Sequence, residues 1–417
     1  MLEEIGRREG KDAIYRGILH SDDLTARGNI PCLSFWRKNV MTGTKRTLDA
    51  FFQPVAQKKS KINESDGSAT TCPPLIATSS NENTKNQRLG VEVSPSAQPP
   101  DARPPPPSTH HTYPHPIAAL PSPLQSALAT ATPSCPARAI TNGPALDLLY
   151  FEPFIPRRTS DDLFRLLRAS LPFYRVHYTI NRGGSGPVDV TTPRYTTVFG
   201  VDDSCVFGGP PGSNDNNSAA QDASNAEKAP PLELLDAKTR KPVPSNRYAR
   251  APRPLPASLA ALRDAVQRAT GHTFNFCLVN YYATGADSIS MHSDDEKFLG
   301  RDPAIASLSL GARRDFVMKH KLDRAAPTLK LPLAGGDMVL MRGTTQGAWL
   351  HGVPKRSAKT VGEVGRINIT FRKAIVRGGT ENYYRYNVGD GECWRWDERK
   401  GEMVVWKDKE TEDARKC

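Results

Sequence analysis

The chain has 417 residues, 56 Lys and Arg against 44 Asp and Glu, a net charge of +12 and a pI near 9.4, a balance that favours an anionic partner such as nucleic acid. Of its 36 prolines, 13 fall between Pro95 and Pro136 in a stretch with almost no aromatics, which excludes one packed core over the whole length. The seven cysteines, an odd number without C-x-x-C spacing, exclude a disulfide framework and a zinc site and fit the cytosol or nucleus, and no apolar run is long enough to span a membrane.

Residues 1–143 read as a disordered tail. Met41 opens MTGTKRTLDAFF, a more natural protein start than Met1, so residues 1–40 stand apart. Lys45, Leu48, Phe51 and Phe52 follow the spacing of a short helical plug and resemble the PCNA-interacting peptide, with Lys45 where that peptide carries Gln. The resemblance implies a PCNA-like sliding clamp as partner. Lys45-Arg46 and Lys58-Lys59-Ser60-Lys61 read as a two-part nuclear localisation signal over about residues 45–61, which predicts a nuclear protein. His110, His111 and His115 lie in the Pro-rich tract and are expected to be solvated.

Folded structure is expected from Ala145, in a domain over 144–375. LDLLYFEPFI is strand-like, and TSDDLFRLLRAS has helical spacing with Thr159 or Ser160 as N-cap. RVHYTI and TTVFG read as strands joined by the turn NRGGSG, and residues 208–247 as a polar, mobile insertion. LPASLAALRDAVQRAT is an amphipathic helix closed by Gly271. TFNFCLVNYY, SISMH, AIASLSLG, RDFVMKH, LKLPL, DMVLM, AWLHGV and RINITFRK then read as short strands. The pattern predicts an α+β protein with a double-stranded β-helix, jelly-roll-like core and flanking helices. Residues 376–417, bearing YYRYNVGDGECWRW, form a C-terminal extension expected to add strands to that core.

The chemistry concentrates late in the chain. His292-Ser293-Asp294 is an H-x-D triplet at a strand end, where residues i and i+2 share a face. With the distal His351 it makes two imidazoles and one carboxylate, the facial set of non-haem iron oxygenases. Alone, an H-x-D triplet is equally a surface turn. In RINITFR, Arg366, Asn368, Thr370 and Arg372 share one strand face and Ile367, Ile369 and Phe371 the other. Two rigid forks beside Asn and Thr suit a clamp for a dianion, and Asn280 and Tyr282 are spaced to add hydrogen bonds to the same ligand.

NYYATGADSISMHSDDE, ASLSLGARRDFVMKHK, WLHGVP and GRINITFRK resemble the AlkB family of nucleic acid dealkylases, nearest to the members that repair double-stranded DNA. The likeness spans about residues 147–375 apart from the insertion. It implies that His292, Asp294 and His351 ligate Fe(II) and that Asn280, Tyr282, Arg366, Asn368, Thr370 and Arg372 hold 2-oxoglutarate. With O2 as the other co-substrate, the implied reaction oxidises N-alkyl groups on bases such as 1-methyladenine and 3-methylcytosine, releasing aldehyde, succinate and CO2. Asp295 and Glu296 are then expected to face the damaged base, and Arg194, Tyr195, Phe199 and Phe207 to touch the strand. In duplex-acting relatives an apolar hairpin tip wedges into the helix, whereas the corresponding NRGGSG is polar and Gly-rich. The expected substrate is alkylated DNA, met by a monomer. The polar tip leaves RNA open, and a catalytically silent nucleic-acid scaffold recruited by PCNA is the reading from another class.

Overall fold

A computed structural model describes residues 105–131, 133, 136–182, 186–209, 232–356 and 365–407. The clamp-like peptide and the basic signal lie outside them. The first described elements are helix α1 (Ser122–Ala129), strands β1 (Arg138–Ile140) and β2 (Leu148–Phe151), helix α2 (Arg157–Ser170) and strand β3 (Phe173–Tyr174). Two hairpins follow on either side of a single strand: β4 (His177–Arg182) with β5 (Gly186–Thr191), then β6 (Tyr195–Gly200), then β7 (Cys205–Gly208) with β8 (Glu233–Asp236). Helix α3 (Ala257–Thr270) leads into β9 (Phe276–Tyr282), β10 (Ile289–His292), β11 (Ile305–Gly311), β12 (Arg314–His320), β13 (Leu329–Leu333) and β14 (Met338–Met341). The short helix α4 (Thr345–Ala348), β15 (Trp349–Val353), β16 (Arg366–Arg372), helix α5 (Glu381–Asn387), β17 (Cys393–Asp397) and β18 (Glu402–Val405) complete the chain. Among the described residues no helix is long and apolar enough to cross a membrane.

Ten strands form one sheet in the order β1-β2-β14-β11-β16-β9-β6-β3-β17-β18, and four form a second in the order β10-β15-β12-β13. Period-two alternation gives the large sheet two distinct faces. Cys277, Val279, Tyr281, Ala306, Leu308, Leu310, Ile367, Ile369 and Phe371 join the core that includes α2 and α3 residues such as Leu163, Leu167, Leu259 and Leu262. Their neighbours in sequence, among them Phe276, Leu278, Tyr282 and Ile305, join Phe316, Met318 and Leu331 of the small sheet in a second core. This is the jelly-roll arrangement the strand pattern predicts, with a helical layer outside.

The central strand β16 is buried along its whole length. Removing the ring of Phe371, which is fully buried, leaves a cavity in the helix-side core. Phe371→Ala is expected to cost about 3–5 kcal/mol and to lower the urea midpoint accordingly. An unchanged midpoint would contradict this packing.

Five expectations change. Described residues before Ala145 already belong to the folded domain. Tyr113, Ile117, Leu120, Leu124 and Leu128 are buried in the helix-side core, and the Tyr113 hydroxyl donates to Pro254 O at 2.6 Å. A Pro-rich segment needs few apolar side chains when a finished domain supplies the other surface. His115 accordingly is buried against Trp406, and His110 Nε2 bonds Leu232 O at 3.0 Å, so neither is a solvated tail histidine. Helix α2 starts at Arg157 after Pro156, which places Thr159 and Ser160 inside it instead of at its cap. β4 pairs with β5 rather than with TTVFG, which is β6 beside β9. The insertion is also partly structured, since β8 pairs with β7. Gly271 does close α3, at φ 71°.

Candidate metal and dicarboxylate site

The H-x-D triplet and the distant His351 meet because β10 and β15 are antiparallel neighbours with His292 opposite His351. Their rings lie 4.2 Å apart, and Nε2 of each faces Asp294, at 3.9 Å for His292 and 3.7 Å for His351. Candidate ligand atoms of all three residues lie within 4.8 Å of one another, and all three residues are buried. His292 Nδ1 bonds Ser290 O at 2.8 Å, which makes Nδ1 the protonated nitrogen and leaves the Nε2 lone pair for a metal. The Asp294 N–H donates to Gln346 Oε1 at 2.9 Å, fixing the loop that carries the carboxylate.

Burial pushes both imidazoles down, His351 to about 3 with the neighbouring His292 as a further cause. Burial alone would raise the Asp294 carboxyl. The Arg372 guanidinium and the two histidines outweigh it and hold Asp294 well below the usual carboxylate range. Two neutral imidazoles and one ionised carboxylate are the protonation states a divalent cation requires.

The residues expected to clamp a dicarboxylate lie on the paired strands β16 and β9 beside this cluster. Arg366, Asn368, Thr370 and Arg372 all lie on the inward face of β16, and their register partners on β9 are Tyr282, Asn280, Leu278 and Phe276. Arg372 Nη2 donates to Asp294 Oδ2 at 2.7 Å, Asn368 Nδ2 to Ser307 Oγ at 2.9 Å, and Thr370 Oγ1 to Leu278 O at 3.0 Å. Arg366 Nη2 donates to Ser309 Oγ at 2.8 Å, and its guanidinium lies 5.4 Å from the Tyr282 ring centre. Arg366 Nε and Nη1 and Arg372 Nε and Nη1 are buried without a hydrogen-bond partner. Buried, unanswered N–H groups on two guanidiniums are costly unless an anion fills them. His351 Nδ1 is likewise without a partner. The donor set and these orphaned atoms fit Fe(II) and a dicarboxylate.

The cavity is lined by His292, Asp294, His351, Asn280, Tyr282, Asn368, Thr370 and Arg372, with Leu278, Phe316, Met341 and Val353 as apolar wall. Arg366, although on the same strand face, is not part of that lining. Glu296 and Arg194 also line it. Arg194 Nε donates to Asn280 Oδ1 at 2.6 Å. Glu296 Oε1 accepts from the Tyr383 hydroxyl at 2.9 Å, while Oε2 is buried with no partner. Burial first, then the nearby Asp294, push Glu296 up to about 7.

The remaining expected substrate residues lie elsewhere. Asp295 turns outward and pairs with Lys321 at 2.8 Å. Tyr195 and Phe199 belong to the opposite face of the large sheet. Tyr195 packs on Tyr281 and Trp394, Phe199 on Tyr113, and neither reaches the cavity. Phe207 sits on the β7–β8 hairpin near His110, in a separate small cluster. Conversely, Tyr383, Tyr386 and Asn387 line the cavity from α5. Their spacing of i, i+3 and i+4 in ENYYRYN is the signal that marks them as one helical face.

Residues 147–372 match the 2OG-Fe(II) oxygenase superfamily. A stretch of 131 residues, 30% of this chain, is 41% identical to human "DNA oxidative demethylase ALKBH2" and covers 49% of it. A stretch of 121 residues, 27% of this chain, is 42% identical to human "Alpha-ketoglutarate-dependent dioxygenase alkB homolog 3" and covers 41% of it. The ALKBH2 of Arabidopsis thaliana is 39% identical over 139 residues, 28% of this chain and 43% of its own. The chain thus spans about half the length, or less, of these relatives.

Proposed function

Since the chain belongs to the 2OG-Fe(II) oxygenase superfamily, we propose that it is a dioxygenase that removes alkyl groups from nucleic acid bases, with alkylated DNA as substrate. The observation that carries this reading is the buried His292, Asp294 and His351 cluster sharing a cavity with the Arg372 guanidinium, which keeps two unanswered N–H groups. The likeness to demethylases of the AlkB type supports the substrate class.

His292, Asp294 and His351 would hold Fe(II); Arg366, Arg372, Asn280, Tyr282, Asn368 and Thr370 would hold 2-oxoglutarate. When bound, iron with 2-oxoglutarate and O2 supplies the oxidising power, and 2-oxoglutarate leaves as succinate and CO2. The chain contributes placement. The arginine clamp orients the co-substrate, and the wall of Leu278, Phe316, Met341 and Val353 excludes water. Glu296 presents an unpaired carboxyl oxygen to a cationic or amino-bearing base such as 1-methyladenine or 3-methylcytosine. The base must leave its stack to enter, which costs least for a lesion that cannot pair.

The test is formaldehyde release from oligonucleotides carrying one 1-methyladenine or 3-methylcytosine, as single-stranded DNA, duplex DNA and RNA, with Fe(II) and 2-oxoglutarate. Release from DNA is expected. Release from RNA alone would reassign the substrate, and release from none would leave a silent binding protein.

We propose further that the protein works in the nucleus as a monomer docked on PCNA through Leu48, Phe51 and Phe52. An aromatic pair three residues after Leu48, in a segment otherwise polar and Pro-rich, supports this. With Lys45 in place of Gln, a peptide of residues 41–62 is expected to bind purified PCNA in the micromolar range, about −8 kcal/mol. Calorimetry showing no heat at high micromolar concentration would remove the clamp from the account. A tether of this kind raises local concentration without touching the active site.

A further inference from the structure

Helix α5 lies C-terminal to the stretch that matches the superfamily, and one of its side chains serves two spaces. Tyr386 lines the catalytic cavity and also a neighbouring surface groove of about 420 Å³. The groove is formed by α5 and the residues after it on one side and by β4 on the other, with His177, Tyr178, Arg250, Arg385, Tyr386 and Asp390 in its wall. The Tyr178 and Tyr386 rings meet edge to face, 6.1 Å between centres, and the Arg385 guanidinium lies 5.3 Å from the Tyr386 ring centre. Asp390 is the one carboxylate among the residues lining the groove. Arg250 is bonded to it and holds its pKa below the ordinary range. That pair cancels in charge, so the exposed Arg385 sets the sign of the groove.

We propose that this groove holds the nucleotide next to the one in the catalytic cavity, on a single-stranded or locally opened strand. Tyr386 stacks on its base and Arg385 meets its phosphate. This rests on the dealkylase reading. A base taken into the cavity drags its neighbours along, and the first neighbour must lie against whatever adjoins the cavity mouth. Here that surface is an aromatic ring beside a cation, the combination that binds single strands without reading sequence. The volume suits one small ligand and not a duplex.

The test uses the full-length protein without iron and measures fluorescence anisotropy of an unmodified single-stranded DNA oligonucleotide across a salt series. Tyr386→Ala is expected to weaken binding about 5- to 150-fold, the value of one lost stack. Tyr386→Phe, which keeps the ring, should restore it. Arg385→Gln should reduce the slope of log affinity against log salt by about 0.7, one phosphate contact on a single strand. Tyr386→Ala binding like Tyr386→Phe, together with a wild-type slope in Arg385→Gln, would overturn the proposal. Formaldehyde release by the wild type is scored separately. Release with unaffected variants keeps the dealkylase and removes the groove, and no release with weakened variants does the reverse.

Discussion

Asp294→Ala is expected to abolish iron binding and turnover and also to destabilise the iron-free protein, whereas His292→Ala abolishes iron binding with a smaller loss of stability. Both substitutions remove one of the three candidate ligands. The sequence alone treats them alike, as two members of one H-x-D triplet. The structure separates them through Arg372, whose Nη2 bonds Asp294 Oδ2 at 2.7 Å with both side chains buried. Taking away Asp294 leaves a buried guanidinium with no counter-charge, a loss of about 3–5 kcal/mol for such pairs. His292 is neutral, its pKa pushed down by burial, and it takes no charge with it. Metal content and formaldehyde release measure the first effect, urea unfolding of the metal-free proteins the second. Wild-type release by either variant would sink the iron assignment. Equal urea midpoints for the two variants would sink the ion-pair argument.

Arg372→Ala is expected to raise the 2-oxoglutarate concentration needed for half-maximal turnover by about 10- to 150-fold. A charge-assisted hydrogen bond to a carboxylate is worth about 1.5–3 kcal/mol, and each 1.36 kcal/mol is a factor of ten. Arg372 spends one N–H on Asp294 and keeps Nε and Nη1 unanswered. The variant also strands the Asp294 carboxylate in the interior until a cation arrives. Fe(II) should therefore raise its thermal midpoint more than that of the wild type, since a ligand stabilises the state that binds it. An unchanged co-substrate titration would move the clamp to Arg366, which also keeps two unanswered N–H groups.

Strand alternation was readable wherever the residues themselves declared a polar and an apolar face. RINITFR is such a strand, and the structure puts its four polar residues on one side. Tyr195 and Phe199 were expected at the nucleic acid strand from the family resemblance, and YTTVFG itself does not announce which face looks inward. Its register with β9 decides the matter: Tyr195 sits opposite Tyr281, out of step with Asn280 and Tyr282. Registers between strands far apart in sequence are tertiary facts. The pairing of His292 with His351 is another, suggested by chemistry but invisible to periodicity. The part that residues such as Tyr113, Ile117 and Leu128 play in the core was missed for a related reason. Apolar residues in that Pro-rich stretch are sparse, and they suffice only because the domain they dock on is already built. The C-terminal extension was expected to add strands, which β17 and β18 do, but helix α5 was missed, although its Tyr and Asn spacing is helical, and nothing local says that this face would close a cavity.

The β12–β13 hairpin has a consequence for anyone wishing to label this protein. The two strands flank residues 321–328, and β15, which carries His351, reaches β10 directly instead of through that turn. Residues 322–325 are exposed, with Leu322 at 89%. Lys321 is the residue to leave alone, since it ties Asp295 and Gln346 O. A fluorescent reporter or an affinity handle spliced in at Arg324 would lengthen the chain between the two iron-site histidines without changing the ladder that sets them side by side. The longest gap in the sequence of the candidate metal site thus runs through an exposed turn open to engineering.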